Sequence, residues 1–415
     1  MRALYSLLLY LLLPGVLIRL WMRGRREPAY RLHWAERLGR DLAQGGGIWL
    51  HAVSVGEVRA AEPLLRALQA DDPARPILVT VTTPGGRQTL QQLFGDSVQC
   101  RYLPYDLPCA ARRFVSALQP AMAIFMEVEL WPNLYAALAA RGVSLYLVNA
   151  RVSQRSWRGY RRLGGLTRRT LQAVRRVAAQ TALDKTRFIQ LGMPPDAVSV
   201  TGNLKFDAGL PADLAERAGR LRKQLSGRQP AWVAASTHEG EEALLLEAHA
   251  ELLKSHPDAL LLLVPRHPER AASLVRLCSG HGLVCSLYSS AAFAGASVLL
   301  VDRLGLLVYC YAVADAAFIG GSLVDRGGHN PIEALLAGTA VISGPYTAGF
   351  ADVYRQLQAA GAARVAASSD GLVSQLSEWF RDGQSRAAAV EAGRRIVQDN
   401  RGALGRIMAL IVPAG

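Results

Sequence analysis

The sequence predicts an α/β protein built from two doubly wound domains facing a cleft, with a hydrophobic helix ahead of them. Three observations carry this expectation. Short apolar runs alternate with helix-spaced segments in two successive series, the pattern of parallel sheets covered on both faces. The 415 residues exceed what one hydrophobic core organises. Hydrophobic residues make up 51% and charged residues 19%, which excludes a disordered chain and supplies apolar material for two cores.

Residues 1–46 form the leading segment. Ala3 to Ile18 is uncharged and leucine-rich, bounded by Arg2 on one side and by Arg19, Arg23, Arg25 and Arg26 on the other. A membrane span takes roughly 17–25 apolar residues, a length reached only by counting Trp21 and a snorkelling Arg19. Pro14-Gly15 interrupts the run and no small-residue cleavage site follows it. The expectation is therefore an anchor or a monotopic insert rather than a removable signal. The heavier arginine cluster assigns the following chain to the cytoplasm. A hydrophobic helix packed on the body is the alternative.

Residues 47–203 read as the first doubly wound domain, with strands at Ile48–Val53, Ile77–Thr82, Val98–Leu103, Ala121–Met126, Val143–Val148 and Val198–Thr201. Residues 204–228 read as a connector, opened by the break Asp207–Pro211 and continued by a charged helix. The alternation restarts in residues 229–384, with strands at Trp232–Ala235, Leu260–Val264, Leu283–Leu287, Val298–Val301, Ala316–Ile319 and Ala340–Ser343. Residues 385–415 hold a last helical stretch, Ser385–Ile411, placed to cross back to the first domain. Two such halves imply a ligand cleft.

Lys and Arg number 47 against 33 acids, a net charge of +14, which points to anionic company. Only four of the 47 are lysines, so part of the excess reflects composition rather than a partner. The segment Arg151–Arg176 carries nine arginines and no acid; it is either a solvated basic face or a contact for an anionic membrane or phosphorylated substrate. Nucleic acid is not expected, because no helix-turn-helix, zinc finger or stacking signature accompanies the charge. Five cysteines without a C-x-x-C pair argue against a disulfide framework or zinc ribbon. A dinucleotide-binding glycine turn, a Walker loop and a D-x-D pair are all absent from the sequence. Phosphate must then be met by cations and backbone amides.

Five motifs stand at strand exits, where doubly wound folds gather ligands. His51–Glu57 (HAVSVGE) places Glu57 in a first helical turn, either as an acid favoured by the helix dipole or as a general base held over the cleft. Met126–Asn133 (MEVELWPN) sets Glu127 and Glu129 two apart, so strand alternation allows only one of them to face the cleft. Thr201–Asp207 (TGNLKFD) carries Lys205, a rare lysine in an arginine-dominated chain, or else a solvated surface lysine. Val264–Arg270 (VPRHPER) puts Arg266 at a strand end, suited to a phosphate fork. Gly320–Ala334 (GGSLVDRGGHNPIEA) is a glycine-rich loop opening a helix. Asn330 fits its cap, Pro331 its first position and Glu333 its third, a structural grammar that also makes an anion site.

Taken in order, the hydrophobic N-terminus, RGRREPAYRLHWAERLG, HAVSVGE, MEVELWPN, NARVSQRS, TGNLKFD, STHEGEE, VPRHPER and GGSLVDRGGHNPIEA resemble the 3-deoxy-D-manno-octulosonic acid (Kdo) transferases of Gram-negative bacteria, over essentially the whole chain. The resemblance implies the two-Rossmann GT-B glycosyltransferase fold, with no cofactor and no metal. It implies transfer of Kdo from CMP-Kdo to a lipid A precursor at the cytoplasmic face of the inner membrane, with that anionic surface as a further partner. It makes Glu57 the proton acceptor and gives transition-state stabilisation to Glu127 and Lys205. It places CMP against Pro265 and Arg266, against Leu304, Gly305 and Leu306, and against Asn330, Pro331, Ile332 and Glu333. Many members carry Gly-Glu where this chain has Gly305-Leu306, which leaves a backbone contact there. A UDP-sugar transferase of envelope assembly and a non-catalytic basic binding protein are the competing readings.

Overall fold

The computed structural model describes residues 1–40, 45–207, 209–225, 229–290, 293 and 295–412. Ala208 in the expected break, 226–228 at the end of the expected connector, and 41–44 and 413–415 in the terminal segments lie outside the described residues. The chain divides into two compact units, Met1–Ala208 with Asn400–Gly415, and Gly209–Asp399.

The first unit holds a seven-stranded sheet: β1 Ile48–His51, β2 Ile77–Val81, β3 Gln99–Tyr102, β4 Met122–Met126, β5 Ser144–Ala150, β6 Val174–Ala179 and β7 Val198–Val200. Their spatial order is β3-β2-β1-β4-β5-β6-β7, every pairing parallel. Ile48 stands opposite Ile77 on one side and Met122 on the other. β1, β2 and β4 are apolar runs buried nearly throughout, as a sheet covered on both faces requires. One face packs around Trp49, Phe114, Phe125 and Tyr135, with ring centroids 5.0–5.1 Å apart. The other gathers Val79, Met126 and Tyr146 with Ile407 and Ile411 of the last helix.

β6 lies where the sequence suggested only a basic face. Arg175 and Arg176 are exposed while Val174 and residues 177–179 are buried, so two arginines hide an otherwise apolar strand. The helical stretch Ser385–Ile411 is two helices, Gly383–Asn400 in the second unit and Ala403–Ile411 in the first. The chain turns between them at Gly402, φ 89°, a left-handed conformation that favours glycine. Asp207 caps the last helix, accepting from the amides of Gly402 (2.7 Å) and Leu404 (2.6 Å), and Arg406 donates to the Thr201 carbonyl at 2.8 Å. The segment 201–207 is thereby tied to this helix at both ends.

The second unit repeats the plan with β8 Ala231–Thr237, β9 Leu260–Pro265, β10 Cys285–Leu287, β11 Val298–Leu300, β12 Ala316–Ile319, β13 Ala340–Ser343 and β14 Ala363–Val365. The order is β10-β11-β9-β8-β12-β13-β14, again all parallel. Trp232, Phe318 and Trp379 centre one face of its core. β14 is a three-residue edge strand with only Ala363 buried, too short and too polar to stand out in sequence.

The arginine-rich stretch after the first helix closes the β3 edge. Glu36, 3% exposed, accepts from the Tyr102 amide (2.7 Å) and from Arg87 (2.8 Å). Arg37 lies 3.9 Å over the Tyr102 ring and donates to the Thr82 carbonyl. Removing one partner of a buried pair leaves the other charge uncompensated. Glu36→Ala is therefore expected to lower unfolding free energy by about 3 kcal/mol, read as a clear drop in the denaturant midpoint; an unchanged midpoint would contradict this arrangement.

Candidate active site

Each sheet has a switch point, where the chain leaves one central strand for opposite sides of the sheet, and crevices form at the carboxyl ends there. In the first unit it lies between β1 and β4. β1 exits through Val53 and Ser54 into the helix Val55–Asp71, with Glu57 in its first turn. The Glu57 carboxylate turns back and accepts from the Val53 amide at 2.8 Å, which closes the strand-to-helix bend.

β4 exits at Glu127, whose φ is 54°. A left-handed conformation is costly for a residue with a Cβ and concentrates at functional sites. β4 ends at Met126, so strand alternation does not extend to Glu127 and Glu129, and the charges of both raise the Glu57 carboxyl. Lys205 Nζ lies 3.9 Å from Glu127 Oε1. The lysine is placed by Asn149 at the end of β5, itself buried with φ 51°. Asn149 Oδ1 accepts from the Leu204 amide at 3.0 Å, and Asn203 Oδ1 accepts from the Lys205 amide at 3.0 Å.

The electrostatics follow from this crowding. Burial and then the Glu127 charge push the Glu57 carboxyl up to about 8, against the Val53 amide and Lys205, which favour the ionised form. Burial and Glu127 raise Glu129 to about 7. Burial lowers the Lys205 ammonium, Glu127 opposes that shift, and Arg151 adds to it. A carboxyl with this affinity for protons is a stronger base once ionised than a solvated glutamate. His51, beneath the site, is fully buried with Nδ1 2.9 Å from both the Thr80 hydroxyl and carbonyl oxygens. Burial lowers it to about 3, which fixes it as a neutral structural group.

In the second unit the switch point lies between β8 and β12. Glu241, fully buried, accepts from the amides of His238, Gly321, Ser322 and Leu323 at 2.7–3.0 Å. One side chain thus binds the loop after β8 to the loop after β12. The His238 and His329 rings are nearly parallel, 13° apart, and meet edge to edge with their Nε2 atoms 2.9 Å apart. One Nε2 donates and the other accepts, the roles set by the two tautomers. Burial lowers both rings, His329 to about 4, and the Arg266 charge adds to each shift. The Arg266 backbone is fixed by its amide on the Thr237 carbonyl (3.0 Å), while the residue itself is exposed after buried Pro265. The Arg266 amide on the Thr237 carbonyl sets this residue beside the strand end that leads into His238.

Asn330 Oδ1 accepts from the Ile332 amide at 3.1 Å. The helix Ile332–Ala337 opens directly after Pro331 and places Glu333 in its first turn. It has six residues, so its dipole is small. Leu304 is exposed, Gly305 has φ 82°, and Leu306 precedes the helix Leu307–Val313. Leu306 lines a cavity of about 290 Å³ with Arg217, Arg220, Tyr288 and Tyr309. The helices following Leu306 and Pro331 pack against each other. Among the described residues, no group of three or more His, Cys, Asp or Glu side chains is arranged to hold a metal ion.

Sequence reasoning gave no individual role to Glu241, His238, His329 or Asn149. A signal for the first was present: Gly-Glu follows the first strand of both units, at Gly56-Glu57 and Gly240-Glu241.

A model of the 3-deoxy-D-manno-octulosonic-acid transferase (kdotransferase) family matches residues 32–208. The chain is 37% identical to the 3-deoxy-D-manno-octulosonic acid transferase of Haemophilus influenzae, over 99% of this chain and 98% of that protein. It is 39% identical to the protein of the same name from Bordetella pertussis, over 98% of each. Among solved structures, UDP-GlcNAc 2-epimerase from Neisseria meningitidis superposes with a TM-score of 0.61 at 14% identity, covering 89% of this chain and 100% of that one. That likeness is one of fold, and with two seven-stranded parallel sheets it defines the class: a two-Rossmann protein of the GT-B type. The chain belongs to the Kdo transferase family, glycosyltransferases of lipopolysaccharide synthesis.

If Glu57 serves as a base it must be ionised to accept a proton, and with its carboxyl raised the activity would then rise with pH through about 8. Glu127→Gln removes a negative charge that raises Glu57, and should move this limb to lower pH in kcat/KM profiles. A limb that stays in place would show that Glu57 does not set it.

Proposed function

We propose that this chain is an inverting, metal-independent transferase that moves Kdo from CMP-Kdo to a lipid A precursor, lipid IVA, with Glu57 as general base. The observation that carries the reading is the Glu57 carboxylate, held by the Val53 amide at a strand exit beside Glu127 and Lys205. A sugar hydroxyl is a poor nucleophile. As it bonds to the anomeric carbon of Kdo, Glu57 takes its proton, the bond from that carbon to the phosphate oxygen breaks, and CMP leaves. A single displacement of this kind inverts the anomeric centre. Glu127 and Lys205 stabilise the transition state: the ion pair keeps a cation and an anion fixed in a half-buried place, where they need no reorganisation as charge moves.

The first unit is the acceptor domain in this reading and the second the donor domain. Arg266 forks the phosphate of CMP, beside the histidine pair. Pro265, the backbone at Leu304, Gly305 and Leu306, and the turn at Asn330, Pro331, Ile332 and Glu333 shape the nucleotide site. The enzyme works at the cytoplasmic face of the inner membrane, held by its first helix. That helix, over Arg2–Arg25, is long and apolar enough to cross a bilayer, with mean hydropathy 1.9.

Glu57→Gln is expected to reduce transfer from CMP-Kdo by roughly 10²–10⁴-fold while CMP binding is kept; near-native turnover would remove Glu57 from the mechanism. Arg266→Ala should weaken CMP binding about ten- to a hundredfold, the loss of a charged hydrogen bond, as read by calorimetry. Unchanged affinity would remove the phosphate contact.

A further inference from the structure

The first helix, Arg2–Arg26, has one face less exposed than the rest and touches the body near both of its ends. Ser6, Leu9, Leu13, Leu17, Leu20 and Gly24 are buried or half-buried, at intervals of three or four residues. Leu4, Leu7, Leu8, Leu11, Ile18 and Met22 on the remaining surface are 51–71% exposed. Twenty-five residues make a helix of about 37 Å, longer than the roughly 30 Å hydrocarbon core. A helix crossing the bilayer meets a cytoplasmic body only over its last turns. Here the contact begins in the second turn. Ser6 Oγ lies 3.2 Å from Asn133 Oδ1 and 2.9 Å from the Arg2 carbonyl, and Asn133 Nδ2 donates to the Asp106 carbonyl at 2.6 Å. Tyr10 Oη lies 3.2 Å from Cys109 Sγ. At the far end Arg23 covers the Tyr30 ring at 4.3 Å, and Arg31 covers Trp21 at 4.9 Å.

Charge decides the orientation. A groove of about 1460 Å³ runs beside the first ten residues, lined by Arg2, Arg112, Arg141 and Arg169 together with the helix residues Ser6 and Leu7. If the helix stood along the membrane normal, the helices that carry these arginines would enter the bilayer with it. Each arginine then loses its hydration at the bilayer centre, a large penalty. With the helix lying flat, all four sit at headgroup depth, where basic side chains gain about 1 kcal/mol each from anionic lipid. Trp21 and the arginines around it belong at the same depth.

We propose that the helix Arg2–Arg26 lies in the plane of the membrane, its less exposed face on the first unit and its exposed leucine face among the acyl chains of the cytoplasmic leaflet. Phosphates of anionic phospholipid occupy the groove arginines. The proposal rests on the inner-membrane reading above, and fixes how the chain meets that membrane.

The test uses the full chain carrying Ala3→Cys, expressed in a Gram-negative host and treated with a membrane-impermeant maleimide. The label is located by peptide mass analysis, so the native cysteines do not interfere. Cys at position 3 is expected to label in inverted inner-membrane vesicles and not in intact spheroplasts. Labelling from the outer face would show a spanning helix and overturn the proposal, and labelling from neither face would overturn the headgroup depth. Recovery of the chain in the soluble fraction would instead overturn the membrane reading itself, and the proposal with it. In flotation with phosphatidylethanolamine vesicles containing phosphatidylglycerol, replacing Arg112, Arg141 and Arg169 by Ala should weaken binding on the order of a hundredfold at unchanged thermal midpoint. Equal binding would remove the lipid from the groove.

Discussion

A parallel sheet buried on both faces has no place for ionised side chains along its central strands, and the rest of this molecule follows from that constraint. Charged and hydrogen-bonding groups collect where the strands end, at the carboxyl edge. Three of the exits are bent through left-handed residues that are not glycine: Glu127 after β4, Asn149 in β5 and Ser236 in β8. Each bend turns a polar residue out of the apolar layer at a fixed place. In the first unit the Trp49–Phe125–Tyr135 packing lies on β1, β4 and the helix that follows the Glu127 bend.

The two units use the same dipeptide for opposite ends. Glu241 commits both oxygens to four amides and serves as a rivet between two loops. Glu57 has one amide on one oxygen, and among the described residues its other oxygen meets the Ser54 hydroxyl at 3.5 Å, too long for a strong bond. One glutamate is therefore saturated and structural, while the other retains its affinity for a proton. The neighbours sharpen the difference, because Glu127 and Glu129 both oppose ionisation of Glu57.

Much of the fold was legible because buried strands are written in apolar letters. Val174–Ala179 escaped because Arg175 and Arg176 face solvent, and Ala363–Val365 because an edge strand of three residues has almost no pattern. The site was legible in part. HAVSVGE, MEVELWPN and TGNLKFD marked Glu57, Glu127 and Lys205 as strand-exit residues, but no local pattern separates a helix-dipole glutamate from a base. That distinction depends on partners distant in sequence: Glu127 is 70 positions from Glu57, and Asn149 is 55 from the Leu204 amide it holds. The last helix was visible as a helix. Its return to the first domain was read from its place in the chain; the cap from Asp207 that steadies the lysine segment is a tertiary fact.

The central claim is chemical: with CMP-Kdo and a tetraacylated lipid A precursor, the purified chain moves Kdo onto the lipid. Mass analysis of the lipid after incubation tests this directly. The account predicts a product heavier by one or more Kdo residues, formed together with CMP and not formed from UDP-sugars. An acceptor of unchanged mass with CMP-Kdo, alongside transfer from a UDP-sugar, would contradict it.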